Sequence, residues 1–444
     1  MAQLFGFPYF EVQFTKAGNV HSSAEADKFL DELSNAPTTD LLVISHGWNN
    51  HMDEARKFYG DYFAQVRGLI DAGTVQLGAR KLMILGVLWP SKKFADDELI
   101  AGGGANLQGD LEATLRTKLE RLEETIDDEG VKQLLRDAKA QVSRLEESSQ
   151  ARAALVQAAK AVIRLHRAAE AEDDGAEELL RVGDQELLKQ LEAPASLLAP
   201  AAPGEGGAAH VGGGVIPPVD GGAAGFSDFL SGIRAGADRL LNFTTYYAIK
   251  ERAGVVGKRG VAPLLLKALS RASDLKLHFI GHSFGGRLLV ATASGLPKGP
   301  DAPLRTMVLL QAAFSHHGFS GKFGKNQKGF FRQVIDEAKV NGPIIVTHTA
   351  NDRAVGLAYA IASRVARDDA SAVGDANDRF GGIGRNGAQK TAEAINGAKL
   401  RNAAVSFEAG RIHNLLADDV ISSHSAVCQP ATARVLLEAI VAAG

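Results

Sequence analysis

The residues best suited to chemistry lie in "HFIGHSFGGRLL", His278 to Leu289, where Ser283 stands between Gly281 and Gly285. A serine hydroxyl attacks a carbonyl only when a general base takes its proton and a carboxylate orients that base. An apolar run precedes Ser283 and a helix-compatible run follows it, so the spacing predicts a sharp strand-to-helix turn with the hydroxyl held proud of a sheet. Strand and helix approach too closely at such a turn for a Cβ, which accounts for Gly281 and Gly285, and His282 shapes the turn with them.

The rest of the apparatus is sought downstream and upstream. "PIIVTHTANDRAVG" supplies Asp352 just past an apolar strand, 69 residues after Ser283. Two histidines follow it, His413 in "GRIHNLL" and His424 in "SSHSAV". His413 comes five residues after "AAVSFE", read as the last strand, but "GRIHNLLADDVI" reads as a long loop. His424 sits just before the closing helix, 72 residues after Asp352, with Ser422, Ser423 and Ser425 available to fix its loop. His424 is the expected base. Acyl transfer also needs N–H donors for the developing oxyanion, worth about 3–4 kcal/mol each. The Phe284 amide, next after the nucleophile, is one; the Trp48 amide in "LLVISHGWNN", turned inward by Gly47, is the other. His46 is expected to pack beneath this loop and shape it. Trp48, Phe314 and Phe319 read equally well as lining for an acyl pocket or as core.

Elements to position these groups are legible around them. "DLLVISHGW" and "KLMILGVLWP" are continuous apolar runs, the form of strands buried on both faces of a parallel sheet, with a helical pattern from about Met52 to Ile70 between them. "LKLHFI", "RTMVLLQAAF", "GPIIVTHTA" and "AAVSFEA" are further strands; "GRLLVATASG", "FRQVIDEAKV" and "PATARVLLEAIVAA" are helices. The alternation predicts an α/β layer fold in two parts, residues 1–95 and 240–444. Between them, residues 96–239 change character. Leu111, Leu115, Leu119, Leu122 and Ile126 step along one helix face, and Asp96 to Glu192 carries a net charge of −10 against −3 for the whole chain. This predicts an inserted helical module, followed over 193–225 by a linker rich in Ala, Gly and Pro.

Taken together, the "HGWNN" loop, the "GHSFGG" elbow, the "TANDRAVG" acid loop and the terminal "SSHSAV" resemble the α/β-hydrolase superfamily, and within it the bacterial serine esterases and lipases. They span about 300 residues outside the insertion and follow the family's order. The resemblance implies an eight-stranded, mostly parallel sheet with helices on both faces, a covalent acyl-enzyme, and neither metal nor cofactor. It also supports His424, because such esterases carry the base in an H-S-x-[IV] segment at the entry to the final helix. One departure matters: many lipases carry their lid later in the chain, whereas the extra helices here come before Ser283. A cap over the site and a docking arm for a protein partner are both open to them.

Composition narrows the classes. A net charge of −3 gives no general attraction to nucleic acid or anionic membrane. The lone cysteine, Cys428, excludes an internal disulfide framework and a cysteine-based zinc site. The opening "MAQLFGFPYFEVQF" lacks a basic n-region, and no stretch reaches the roughly 20 apolar residues of a membrane span, so the expected compartment is the cytoplasm. The expected activity is hydrolysis of a small-molecule or lipid carboxylic ester. Thioester or amide cleavage would use the same groups, and a scaffold on the same fold would use none of them.

Overall fold

A computed structural model describes residues 2–35, 37–47, 52–91, 111–167, 175–192, 224–324, 326–352, 354–355, 359, 379–401 and 406–444, with side chains omitted over 224–231. Nine strands form one sheet: β1 Gln3–Leu4, β2 Phe7–Gln13, β3 Asp40–Ser45, β4 Leu82–Leu88, β5 Lys276–His282, β6 Leu304–Leu310, β7 Ile344–His348, β8 Ala394–Lys399 and β9 Ile412–Leu416. Their order is β1-β2-β4-β3-β5-β6-β7-β9-β8, parallel throughout except for β1 against β2.

Both faces are buried, as the continuous apolar runs require. Leu41 and Val43 of β3 join the core on one face; Leu42 and Ile44 join the core on the other. Helices α1 Ser23–Asn35 and α2 Met52–Asp71 lie on opposite faces, α1 through Phe29 and Leu33, α2 through Tyr59 and Phe63. The insertion contributes α3 Leu111–Thr125, α4 Glu129–Ala140, α5 Ser149–Arg167, α6 Ala176–Arg181 and α7 Asp184–Glu192. They are followed by α8 Ala224–Val255, a π-helical segment Val256–Val261 and α9 Ala262–Arg271. After β5 come α10 Phe284–Ser294, α11 Arg332–Asp336, α12 Ile383–Asn386 and α13 Pro430–Ala442. α10 joins the α1 face, and α13 joins the α2 face. Among the described residues no helix is long and apolar enough to cross a membrane.

Three expectations need correction. "AAVSFEA" is not the last strand: residues 402–405 lie outside the described residues and 406–408 are not in a strand. The last strand is β9, one step later, so His413 lies in the sheet rather than in a loop. The sheet has nine strands where eight were expected. Its extra edge strand β8, "AINGAK", shows no apolar alternation because none of its residues is fully buried, and its pairing to β9 defines it. "FRQVIDEAKV" yields only the five residues of α11, since the chain turns left-handed at Ala338, φ 45°.

The expected division at 239/240 falls inside α8, a continuous helix of 32 residues. Its first half packs into the insertion, where Lys118, buried on α3, donates to Asp238 at 2.6 Å and to Asn242 at 2.8 Å. Its second half rests on the sheet domain: Arg287 Nε of α10 donates to the Lys250 carbonyl at 2.9 Å. Residues 193–223 of the expected linker lie outside the described residues, and 224–225 already belong to α8.

Candidate active site

Ser283 stands between β5 and α10 with φ 56° and ψ −127°. A non-glycine residue in such a region costs on the order of 1–3 kcal/mol and persists only where its surroundings enforce it. The enforcement is visible. Ser283 N donates to Leu310 O at 3.1 Å, and Ser283 O accepts from Gly286 N and Ala313 N, both at 3.0 Å. A Cβ at Gly281 would come 2.4 Å from Gly286 Cα, and one at Gly285 would come 2.2 Å from Ser45 O. The two glycines let α10 start directly on top of the β3 and β5 ends. The serine is 3 % exposed, at the carboxyl edge of the sheet, where parallel α/β proteins carry their sites.

His424 and Asp352 meet. His424 Nδ1 lies 2.9 Å from Asp352 Oδ2, and the other carboxylate oxygen accepts from Val355 N at 3.0 Å. With Nδ1 donating its proton in a hydrogen bond to the carboxylate, Nε2 is the nitrogen able to receive a proton. His282 joins this pair to the elbow: its Nε2 donates to the His424 carbonyl at 2.9 Å, and the two rings stand 4.9 Å apart. His413 goes elsewhere. It is buried in β9, its Nε2 accepts from Glu408 N at 3.0 Å, and its ring meets Phe407 edge-on.

The acid loop owes its shape to a residue that motif reading overlooks. Asp418 Oδ1 accepts from Thr349 Oγ1 at 2.7 Å and from Ala350 N at 2.9 Å, and Asn351 Nδ2 donates to the carbonyls of Asp418 and Ile421 at 3.0 and 2.9 Å. This clasp ties the loop bearing Asp352 to the loop bearing His424. The only signal in the sequence is the pair of acids in "LADDVISSH", which reads as an ordinary solvated turn. Ser422, Ser423 and Ser425 are exposed, so the fixation expected of them comes instead from His282 and Asn351.

Gly47 closes the group from the other side. A Cβ there would lie 2.6 Å from Ser283 Cβ and 3.2 Å from Ser283 Oγ. Gly47→Ala should therefore lower the labelling rate of Ser283 by more than tenfold without unfolding the protein, a result checked by active-site titration beside a thermal melt. An unchanged rate would mean that the Gly47 backbone does not bear on the serine. Trp48 lies outside the described residues, and Phe284 supplies the first amide of α10. His46 packs as expected: Nε2 accepts from Trp89 N at 3.3 Å, Nδ1 lies 3.0 Å from the Gly47 carbonyl, and the ring stacks on Trp89.

Burial pushes His46 down to about 4. Burial, reinforced by the neighbouring His424, pushes His282 down to about 3. His278, His317, His348 and His413 are lowered by burial too. A histidine whose folded pKa lies below its unfolded value near 6.5 gives its full stabilisation above that pH and loses it as pH falls toward the folded value. Each such group removes up to about 1.4 kcal/mol per pH unit over that window. The urea midpoint should accordingly drop clearly between pH 7 and pH 5; a flat profile would show that these rings accept protons in the folded state.

Above the elbow, Tyr246 of α8 contacts Phe284 at 5.0 Å between ring centroids and meets Tyr359, beyond Asp352, edge-on at 6.4 Å. Arg379 pairs with Glu178 of α6 at 2.9 Å. The inserted helices thus reach the segment after the acid through Glu178, while the nucleophile turn is met by the half of α8 that rests on the sheet domain. Phe314 and Phe319 are fully buried against each other and Phe331, which puts them in the core rather than in a pocket. Among the described residues no group of three or more His, Cys, Asp or Glu is placed to hold a metal. Comparison with family models, with curated proteins and with solved structures returns no match to this chain.

Proposed function

We propose that this protein is a serine hydrolase that cleaves carboxylic esters through an acyl-enzyme on an α/β-hydrolase fold. The observation that carries the reading is the Asp352–His424 pair, 2.9 Å apart, brought to the strained turn of Ser283 by the His282 bond. In the acylation step Ser283 Oγ forms a bond to the acyl carbon while its proton passes to His424 Nε2. The carbonyl oxygen takes the negative charge, and the amides of Phe284 and Trp48 receive it. Collapse breaks the ester C–O bond, and the imidazolium gives its proton to the departing alkoxide. Water then attacks the acyl-enzyme, His424 again taking and returning one proton, and the free acid leaves. Asp352 stabilises the imidazolium and fixes the tautomer throughout.

The ion pair of Glu178, on the inserted α6, with Arg379 beyond the acid loop supports a cap role for the inserted helices in preference to a remote docking arm. Reaction with a fluorophosphonate probe, followed by turnover of p-nitrophenyl esters of graded acyl length beside matched thioesters and anilides, tests the reading. Stoichiometric labelling and a preference for esters are expected; an unlabelled serine would leave a scaffold on this fold as the alternative.

A further inference from the structure

The base and the nucleophile are far apart in sequence, and each sits on a separate segment. Yet the residue immediately before Ser283 reaches across and holds the residue that would take its proton. His282 Nε2 donates to the His424 carbonyl at 2.9 Å. A carbonyl only accepts, so Nε2 carries the hydrogen and Nδ1 keeps the lone pair. Nδ1 faces Gly47, where an added Cβ would lie 3.1 Å away. The ring is wedged against Phe58 of α2, 5.5 Å between centroids, and against His424 itself. His424 is therefore gripped at two points, by Asp352 at its ring and by His282 at its backbone.

We infer that His282 is a positioning residue that mounts the base on the nucleophile elbow, so that the Ser283–His424 geometry is tied directly by the residue before the nucleophile. The inference rests on the serine-hydrolase reading for its catalytic consequence, though not for the bond itself. Its physical logic is rigidity. Ser283 is fixed by β5, β6 and α10, whereas the loop bearing His424 is partly exposed. Asp352 and Asn351 tie that loop to the acid loop, and the His282 bond straps it to the elbow itself. Proton transfer needs the two atoms within hydrogen-bond reach, and a displacement of about 1 Å costs roughly a hundredfold in rate. With the strap, any shift of the β5 end carries the base with it. Burial pushes the ring's pKa down to about 3, and the His424 carbonyl selects the neutral tautomer with the proton on Nε2.

The test compares His282→Leu, which removes the donor, with His282→Gln, whose side-chain amide nitrogen falls close to the position of Nε2. In His282→Leu, kcat and the fluorophosphonate labelling rate should fall by roughly 10- to 100-fold with KM changed by less than about threefold. His282→Gln should return both to within about fivefold of wild type. A purely structural role would instead show as a lowered melting temperature, with kcat restored at low temperature. A readout independent of activity is the downfield proton between His424 Nδ1 and Asp352, observed by NMR on the full chain. It should be sharp in wild type, broadened in His282→Leu and sharp again in His282→Gln. Should the leucine variant fail to fold, His282→Asn replaces it, since its shorter amide falls short of the carbonyl. An unaltered resonance and labelling rate in His282→Leu, or equal impairment in His282→Gln, would overturn the inference. Absence of labelling in wild type, with the resonance still responding to His282, would remove the hydrolase reading and leave the strap standing.

Discussion

Ser283→Ala should abolish turnover, lowering kcat by roughly five to six orders of magnitude, and should leave no site for a fluorophosphonate. The fold should survive. The substitution deletes one oxygen, and the bonds that force the turn are made by the Ser283 backbone to Leu310, Gly286 and Ala313. Alanine inherits the same φ of 56°, so its melting temperature should stay close to wild type. Ser283→Gly is the informative companion. Glycine adopts this region without steric cost, so that variant should be equally inactive and more stable by about 1 kcal/mol. Loss of activity accompanied by a gain in stability would identify a turn strained for function. Residual turnover within tenfold of wild type in Ser283→Ala would place the nucleophile elsewhere.

The second large effect separates the two histidines. His424→Ala should lower kcat by four or more orders of magnitude, because it removes the ring that Asp352 orients beside the elbow. His413→Ala should reduce kcat by less than tenfold. Its cost should appear as stability instead, about 1–3 kcal/mol, because the Glu408 N–H loses its acceptor and the Phe407 ring loses its partner. Paired kinetics and urea unfolding on the two variants read both quantities. Asp352→Asn completes the set: it should keep the fold and cost on the order of 10⁴ in kcat by releasing the wrong tautomer. A larger kinetic loss in His413→Ala than in His424→Ala would reassign the base and dissolve the functional reading built on the His424 loop.

Residue types, chain order and the turn around Ser283 were legible in the sequence, because each rests on a local requirement. Gly-x-Ser-x-Gly between an apolar run and a small-residue helix needs no distant partner to be recognised. The α/β layers were legible for a related reason: strands such as β3, buried on both faces, carry an unbroken apolar run, here Leu41 to Ile44. What only the tertiary structure decided involves partners far away in the chain. β8 carries one large apolar residue, Ile395, and exists through its pairing with β9, so composition carried no clear trace of it. Pairing with β7 draws "RIHNLL" into the sheet, taking His413 with it and leaving His424 to Asp352. Asp418, which clasps the acid loop, and His282, which holds the base, act across 69 and 142 residues. The helix α8 ignores the compositional boundary at 239/240, since Asp238 and Asn242 bond to Lys118 of the insertion and Lys250, further along the same helix, bonds to Arg287 of α10. Local sequence determined which groups were available for chemistry; long-range packing, which no short window encodes, decided which of them meet.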